Sequence, residues 1–273
     1  MGGLGNQLFQ IFTTIAYAAE NGCEFHFLYT KTVGKRPAYW DNLLLPLKKN
    51  TVFNLEKGAL LREKAFHYIE LPRVTIMKNT SLYGYFQSPK YFNKYTKEIA
   101  ERAMQLSKYQ TIISNKFFKN LDIDRIKTTS MHFRIGDYFT LQDCHPILEY
   151  EYYKNSIQKI LDVTKCNKWT FLYFCEDDDY ELVQYAYIMP FQFDFPSCIF
   201  LRADPKIPDY LQMLLMSCCK HHIIANSTFS WWGAYLNFST DKIVCYPSVW
   251  FGKKLARNST KDLIPEGENW IKV

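Results

Sequence analysis

The second half of the chain alternates short apolar runs with amphipathic stretches, and this alternation restricts the fold more than any other feature. Thr129–Arg134, Trp169–Cys175, Cys198–Leu201, His221–Ala225 and Ile243–Tyr246 are runs rich in aromatic and β-branched residues. They read as strands. Tyr150–Val163, the segment near Glu181–Tyr187 and the stretch from Thr228 read as helices. A further helix opens at Asp209, where Tyr210, Leu211, Leu214, Leu215 and Cys218 recur at helical spacing. Strand–helix alternation of this kind predicts an α/β fold with a parallel sheet.

The first half is less regular. Leu8, Ile11, Phe12, Ile15 and Ala19 make one face of a helix that ends at Asn21-Gly22. Glu24–Tyr29 reads as a strand, Ser81–Ser88 as an extended piece and Asn93–Leu106 as a polar helix. No repeat or low-complexity linker interrupts the chain. Charge replaces apolar periodicity across Lys119–Thr129, which divides the 273 residues into domains 1–125 and 126–273.

Composition bears on partners and compartment. Apolar residues make up 48% and charged residues 22%, which excludes a disordered chain. No apolar run approaches the ~20 residues that span a bilayer, and no secretory leader is visible. The Met-Gly start lacks the Ser or Thr of a myristoylation signal, since Asn6 stands there. The expected location is therefore the cytoplasm, with no integral membrane segment. The 8 cysteines show no zinc-type spacing and are expected to be reduced and mostly buried. Net charge is +6, but the basic residues are dispersed, so no nucleic-acid footprint is evident. A mild positive balance suits an anionic small substrate such as a nucleoside diphosphate.

Four motifs carry chemical possibilities. Gly2-Gly3-Leu4-Gly5-Asn6-Gln7 precedes the first amphipathic helix. Its backbone amides and the helix N-terminus suit a phosphate, and a simple glycine turn fits equally well. It lacks the strand of a dinucleotide fingerprint and the Lys-Ser/Thr of a P-loop. His132-Phe133-Arg134-Ile135-Gly136-Asp137-Tyr138 closes a strand in which Ser130, His132 and Arg134 share one face. Ligands of open α/β sheets bind beyond strand carboxyl ends, where Arg134 can grip a diphosphate. A structural Arg134–Asp137 pair with a hydrogen-bonded core His132 is the alternative. Asn226-Ser227-Thr228-Phe229-Ser230 starts a helix after a strand, and its amides and hydroxyls form a second phosphate or sugar cradle. The Trp231, Ala234, Tyr235 and Phe238 face beyond it reads as core. In Glu176-Asp177-Asp178-Asp179, Asp177 and Asp179 have the spacing of a metal-holding Asp-x-Asp. Helix-start acids, or one Asp contacting a nucleobase, account for the same run. His221 and His222 are adjacent on a strand and point to opposite faces, which argues against a shared metal.

In combination these segments resemble the α-1,2-fucosyltransferases of glycosyltransferase family 11. The resemblance rests on the glycine-rich start, His-x-Arg-x-Gly-Asp-Tyr and Asn-Ser-Thr-Phe-Ser-Trp-Trp-Gly-Ala, in that order, with lesser matches at 173–177, 216–221 and 246–251. It spans residue 2 to about 252. The resemblance implies a GT-B-type fold, two Rossmann-like domains facing across a donor-binding cleft. It implies GDP-L-fucose as donor, a glycan acceptor taking L-fucose on the 2-hydroxyl of a terminal galactose, inversion, no cofactor and no essential metal. The first domain would serve the acceptor and the second the GDP-sugar. Arg134 would hold the donor diphosphate, with His132 and Asp137 beside it as catalytic residues. Asn226, Ser227, Thr228 and Ser230 would line the donor site and Asp177 would contact guanine. Gly3 and Gly5 would face the donor phosphates, with Asn6 catalytic. The family usually has a second arginine where this chain has Ile135. A soluble bacterial or viral type is implied; the alternatives are a metal-dependent sugar transferase that uses another nucleotide sugar through Asp177 and Asp179, and a catalytically inactive glycan- or nucleotide-binding relative, for which Ile135 is the best argument.

Overall fold

The computed structural model describes residues 1–73, 79–119, 123–267 and 269–273, arranged as two compact units. One comprises Met1–Tyr109 and Asn258–Pro265, the other Gln110–Arg257 and Glu266–Val273. The division falls at Tyr109–Gln110, earlier than the charged stretch used to place a boundary at 125. That stretch includes residues 120–122, which lie outside the described residues.

In the first unit, α1 (Leu4–Asn21) buries Leu8, Phe9, Ile11, Phe12 and Ile15. Phe9 and Phe12 pack on Phe92 with ring centroids 5.8 and 5.5 Å away. Gly22 ends α1 in the left-handed region at φ 62, where a side chain is strained. The helix begins at Leu4, one turn before the periodicity starts, so Gly5 and Asn6 lie in its first turn. The strands that follow are short. β1 (Phe27–Leu28) pairs in parallel with β4 (Thr51–Val52), and β2 (Thr32–Val33) is antiparallel to β3 (Arg36–Pro37). β5 (Ala59–Arg62) is parallel to β6 (Thr80–Tyr83). The strand expected over Glu24–Tyr29 is thus only Phe27–Leu28. A 3-10 turn at Asn93–Tyr95 leads into α2 (Thr96–Met104). The returning segment is pinned by Asp262, which accepts from Tyr68 N at 3.1 Å and pairs with Lys90 Nζ at 2.8 Å. α3 (Leu106–Phe117), unforeseen from the sequence, carries the chain into the second unit.

The second unit is built on a six-stranded sheet. In chain order its elements are β7 (Thr128–His132), α4 (Tyr150–Thr164), β8 (Thr170–Phe174), α5 (Tyr180–Val183), α6 (Met189–Asp194), β9 (Ile199–Arg202), α7 (Asp209–Ser217), β10 (His221–Ile223), α8 (Thr228–Tyr235), β11 (Val244–Tyr246) and β12 (Trp270–Lys272). All neighbouring strands are parallel, in the order β12-β11-β10-β7-β8-β9. The chain winds outward from β7 to β9, crosses back through α7 and winds out the other way. This is the doubly wound order, whose direction reverses between β7 and β10. The α/β expectation is met, and β12 adds an edge that its short segment did not signal.

Both faces of the sheet are covered. Met131, Phe133 and Ile135 join one core with Tyr153, Ile157 and Ile160 of α4 and Phe191 of α6. Ile135 is only 2% exposed, so an arginine there would leave an ordinary ion environment. Aromatics also satisfy the sheet ends: Tyr153 Oη donates to His132 O at 3.0 Å, and Tyr152 Oη to Ile224 O at 2.6 Å. Between α5 and α6, Gln184–Ile188 widens into a π turn just before Pro190, whose missing N–H removes a helical rung. On the other face, a Cβ on Gly233 would stand 2.8 Å from Met216 Cβ. Only glycine therefore lets α8 approach α7 this closely. His222 is locked there by Ser130 Oγ at 2.8 Å and Asn237 Nδ2 at 2.9 Å. All eight cysteines are free thiols, three of them buried, fewer than expected. Among the described residues, no helix is long and apolar enough to cross a membrane.

Lys242 caps the end of α8 from a buried position, donating to Ala234 O at 2.8 Å and to Asn237 O. Burial lowers its pKa to about 8 from 10.5. The unfolded chain therefore binds the extra proton more tightly. The group's cost to stability is full below pH 8 and fades as pH rises toward 10.5. Comparing denaturant melts of the parent and Lys242→Met, the parent should gain relative stability from pH 7 to pH 10, by about 2–3 kcal/mol at most. A pH-independent difference would contradict this account.

Candidate functional site

The carboxyl ends of β7 and β10, where the winding reverses, bring together most of the polar residues singled out in the second half. His132 ends β7, and Arg134 and Asp137 follow it. Asn226 and Ser227 follow β10, and Ser227 caps α8 by accepting from Phe229 N at 3.3 Å. Two contacts join these strand ends. His132 Nδ1 lies 2.9 Å from Ser230 Oγ, and Tyr138 Oη donates to Asn226 O at 3.0 Å. Tyr138 closes the motif read from the sequence, but no role could be given to it there, because its partner is 88 residues away. Burial raises its pKa to about 12, so it remains a donor.

His132 is 7% exposed, and burial, aided by the nearby Arg134 charge, lowers its pKa to about 3. Ser230 Oγ also accepts from Ala225 N at 3.2 Å and donates to Ser227 O at 3.4 Å. His132 and Ser230 thus form a neutral clamp between β7 and α8. Asn226 Nδ2 donates to Pro146 O at 2.9 Å and Trp250 O at 3.2 Å. Its Oδ1 is buried with no hydrogen-bond partner among the described residues, an arrangement that costs stability unless a donor reaches it. Thr228 opens α8 and is half-buried.

Arg134 is held on both edges of its guanidinium. Nη2 meets Asp137 Oδ1 at 2.6 Å and Nη1 donates to Glu176 Oε1. Its Cζ lies 5.5 Å from the centre of the Tyr138 ring. Burial works against its charge, but Glu176 and Asp137 outweigh burial and raise its pKa. Glu176 was noted only as the head of an acidic run; a residue 42 positions from its partner gives no local signal.

The two aspartates of that run go separate ways. Asp177 is exposed and pairs with Arg202 Nη2 at 2.6 Å, and Arg202 Cζ stacks 4.2 Å from the Tyr180 ring. Asp179 is buried and accepts from Gly136 N at 2.9 Å. They do not share one focus.

Gly3, Gly5 and Asn6 belong to the first unit. Gly3 is the N-cap of α1, and a Cβ there would meet nothing within 4 Å. Gln7 Nε2 ties the loop by donating to Gly2 O and Pro37 O, at 3.1 and 2.9 Å. Asn6 Oδ1 accepts from Gln87 Nε2 at 2.8 Å, so Gln87, 81 residues away, orients the Asn6 carboxamide.

The chain matches Glycosyl transferase family 11 over residues 50–262, well over half its length, and it belongs to that family. It is therefore a glycosyltransferase. It is 28% identical to the O-antigen biosynthesis glycosyltransferase WbnK of Escherichia coli, over 82% of this chain and 71% of that protein. It is 27% identical to an alpha-1,2-colitosyltransferase of Escherichia coli, over 100% of this chain and 96% of that protein. Among solved structures, the E. coli ADP-heptose lps heptosyltransferase II aligns with a TM-score of 0.37 and 11% identity, over 60% of this chain and 42% of that one.

The neutral clamp gives a direct test. In 15N NMR at pH 5, the His132 and His222 rings should each carry a single proton, because burial lowers both pKa values. A doubly protonated His132 at that pH would contradict the assignment.

Proposed function

We propose that the chain is an inverting α-1,2-fucosyltransferase that moves L-fucose from GDP-L-fucose to the 2-hydroxyl of a terminal galactose on a glycan. The single observation that carries this reading is Arg134, at the switch point of a doubly wound sheet in a family 11 chain. A guanidinium fork there matches the two-oxygen geometry of a diphosphate. The start of α8 offers partial positive charge and the capped Ser227 turn beside it. In this reading His132 and Ser230 clamp the site, Asn226, Ser227 and Thr228 line it, and Asp177 contacts guanine. Gly3, Gly5 and Asn6 of the first unit approach the donor phosphates and the reacting sugar. The second unit holds the donor and the first serves the acceptor, the division of labour of a GT-B enzyme.

The chemistry follows from charge. One displacement inverts the anomeric carbon, so no sugar–enzyme adduct forms. Fucose lacks a 6-hydroxyl, which eases positive charge at that carbon and makes stabilising the departing GDP the main task. Arg134 and backbone amides suffice for it without a metal or other cofactor. The engagement of Asp177 by Arg202 and of Asp179 by Gly136 supports that reading. Asp137 orients Arg134 or takes the acceptor proton. The proposed compartment is the cytoplasm, consistent with eight free thiols.

The full-length similarity to a colitosyltransferase favours a second reading, in which the transferred sugar is colitose. Incubating the enzyme with a β-galactoside and either GDP-L-fucose or a colitosyl donor separates the two. The expected product is α-linked fucose, formed equally well in excess EDTA. Turnover only of the colitosyl donor would replace the fucose reading. Loss of activity in EDTA with recovery on manganese would overturn the metal-free one.

Arg134→Ala should lower kcat/KM by a factor equivalent to about 2–4 kcal/mol, and Arg134→Lys should recover only part of it, because an ammonium cannot reproduce the fork. Near-normal turnover by a folded Arg134→Ala enzyme would remove Arg134 from the donor site.

A further inference from the structure

Arg134 has two carboxylates on its fork. Asp137 occupies one edge and Glu176 the other. The Arg134 side chain is 18% exposed, whereas those of Asp137 and Glu176 are 44% and 49% exposed. The cation is thus inside and both anions stand toward solvent. Such a site repels a diphosphate unless one carboxylate gives way.

The two anions are not equivalent. Asp137 lies three residues beyond Arg134, within the 3-10 turn Gly136–Thr140, and that turn is fastened by Asp179 to Gly136 N and by Tyr138 to Asn226 O. Glu176 follows the neighbouring strand, β8, and precedes the 3-10 turn Asp177–Asp179. Its side chain is long, and its carboxylate lies over the bare Cα of Gly136, where a Cβ would stand 2.9 Å from Oε2. Among the described residues, no hydrogen bond other than that of Arg134 holds the Glu176 carboxylate in place. It is the anion that can swing out without disturbing the backbone of either strand end.

We infer that Glu176 is an exchangeable internal anion that competes with the donor diphosphate for the Nη1 edge of Arg134. Asp137 stays and keeps the guanidinium oriented. Glu176 occupies the edge with a half-exposed carboxylate, and the diphosphate takes the same edge with more charge, carried on its non-bridging oxygens. On GDP departure Glu176 returns, which assists product release. Glu176 is therefore a positioning residue that sets donor affinity through Arg134. This inference rests on the donor-site reading of Arg134.

The test is GDP titration by calorimetry on the full chain, for the parent, Glu176→Gln, Arg134→Ala and the double variant. Glu176→Ala serves as a second probe should the glutamine variant not fold. Removing the competing charge should tighten GDP binding by roughly 3–10-fold, and the gain should vanish on the Arg134→Ala background. In turnover the change should fall on the donor KM, with kcat unchanged or lower through slower GDP release. If Arg134→Ala weakens GDP binding but Glu176→Gln and Glu176→Ala bind GDP equally or more weakly than the parent, the exchange is wrong, and Glu176 holds Arg134 for the ligand. If Arg134→Ala binds GDP as the parent does, the donor-site reading itself fails.

Discussion

Strand β7 is hydrogen-bonded to β8 on one side and β10 on the other, and its register fixes everything at its carboxyl end. His222 pairs with Ser130 and Phe174 with His132 across those ladders. A slip of one residue would send Ser130 and His132 into the apolar core and turn Met131 and Phe133 toward α8. The opposed faces forbid this. One is filled by Phe133 against Tyr153, with ring centroids 4.4 Å apart, and the other by the Ser130–His222 and His132–Ser230 pairs. Arg134 and Asp137 reach solvent beside Asn226 because no other register satisfies both faces.

The same arrangement explains why buried polar groups cluster here. An apolar isostere of His132 would pack in its place, but it would not fix the start of α8 against β7. Neutral histidines, Ser230 and the tyrosines of α4 give direction without burying charge. Arg134, Asp137 and Glu176 meet at the rim, whereas the buried Asp179 is held by Gly136 N. In the first unit the pattern repeats with amides: Gln7, Gln10 and Gln87 hold the glycine-rich start through carbonyls and the Asn6 side chain, with no ion pair among those contacts.

The α/β sheet was legible because each of its strands except β11 and β12 is a short run bounded by turn residues and followed by a helix, and β11 still reads as an apolar run. Arg134 and Asp137 were legible because period-two alternation and Gly136 mark the end of a strand. The contacts of Tyr138, Glu176, Arg202 and Gln87 were not. Each acts on a partner far along the chain, so its role depends on strand order, which local periodicity does not encode. The first unit was read less well for a related reason. Its paired strands are short, and α1 begins with glycines that mask its first turn.

The central claim is that the donor nucleotide docks at the switch point between β7 and β10. Hydrogen–deuterium exchange of the full chain with and without GDP tests it most directly. The account predicts slower exchange on GDP binding in Gly136–Thr140 and in Asn226–Phe229, the two segments that follow those strands. GDP binding with no slowing in either segment would contradict it.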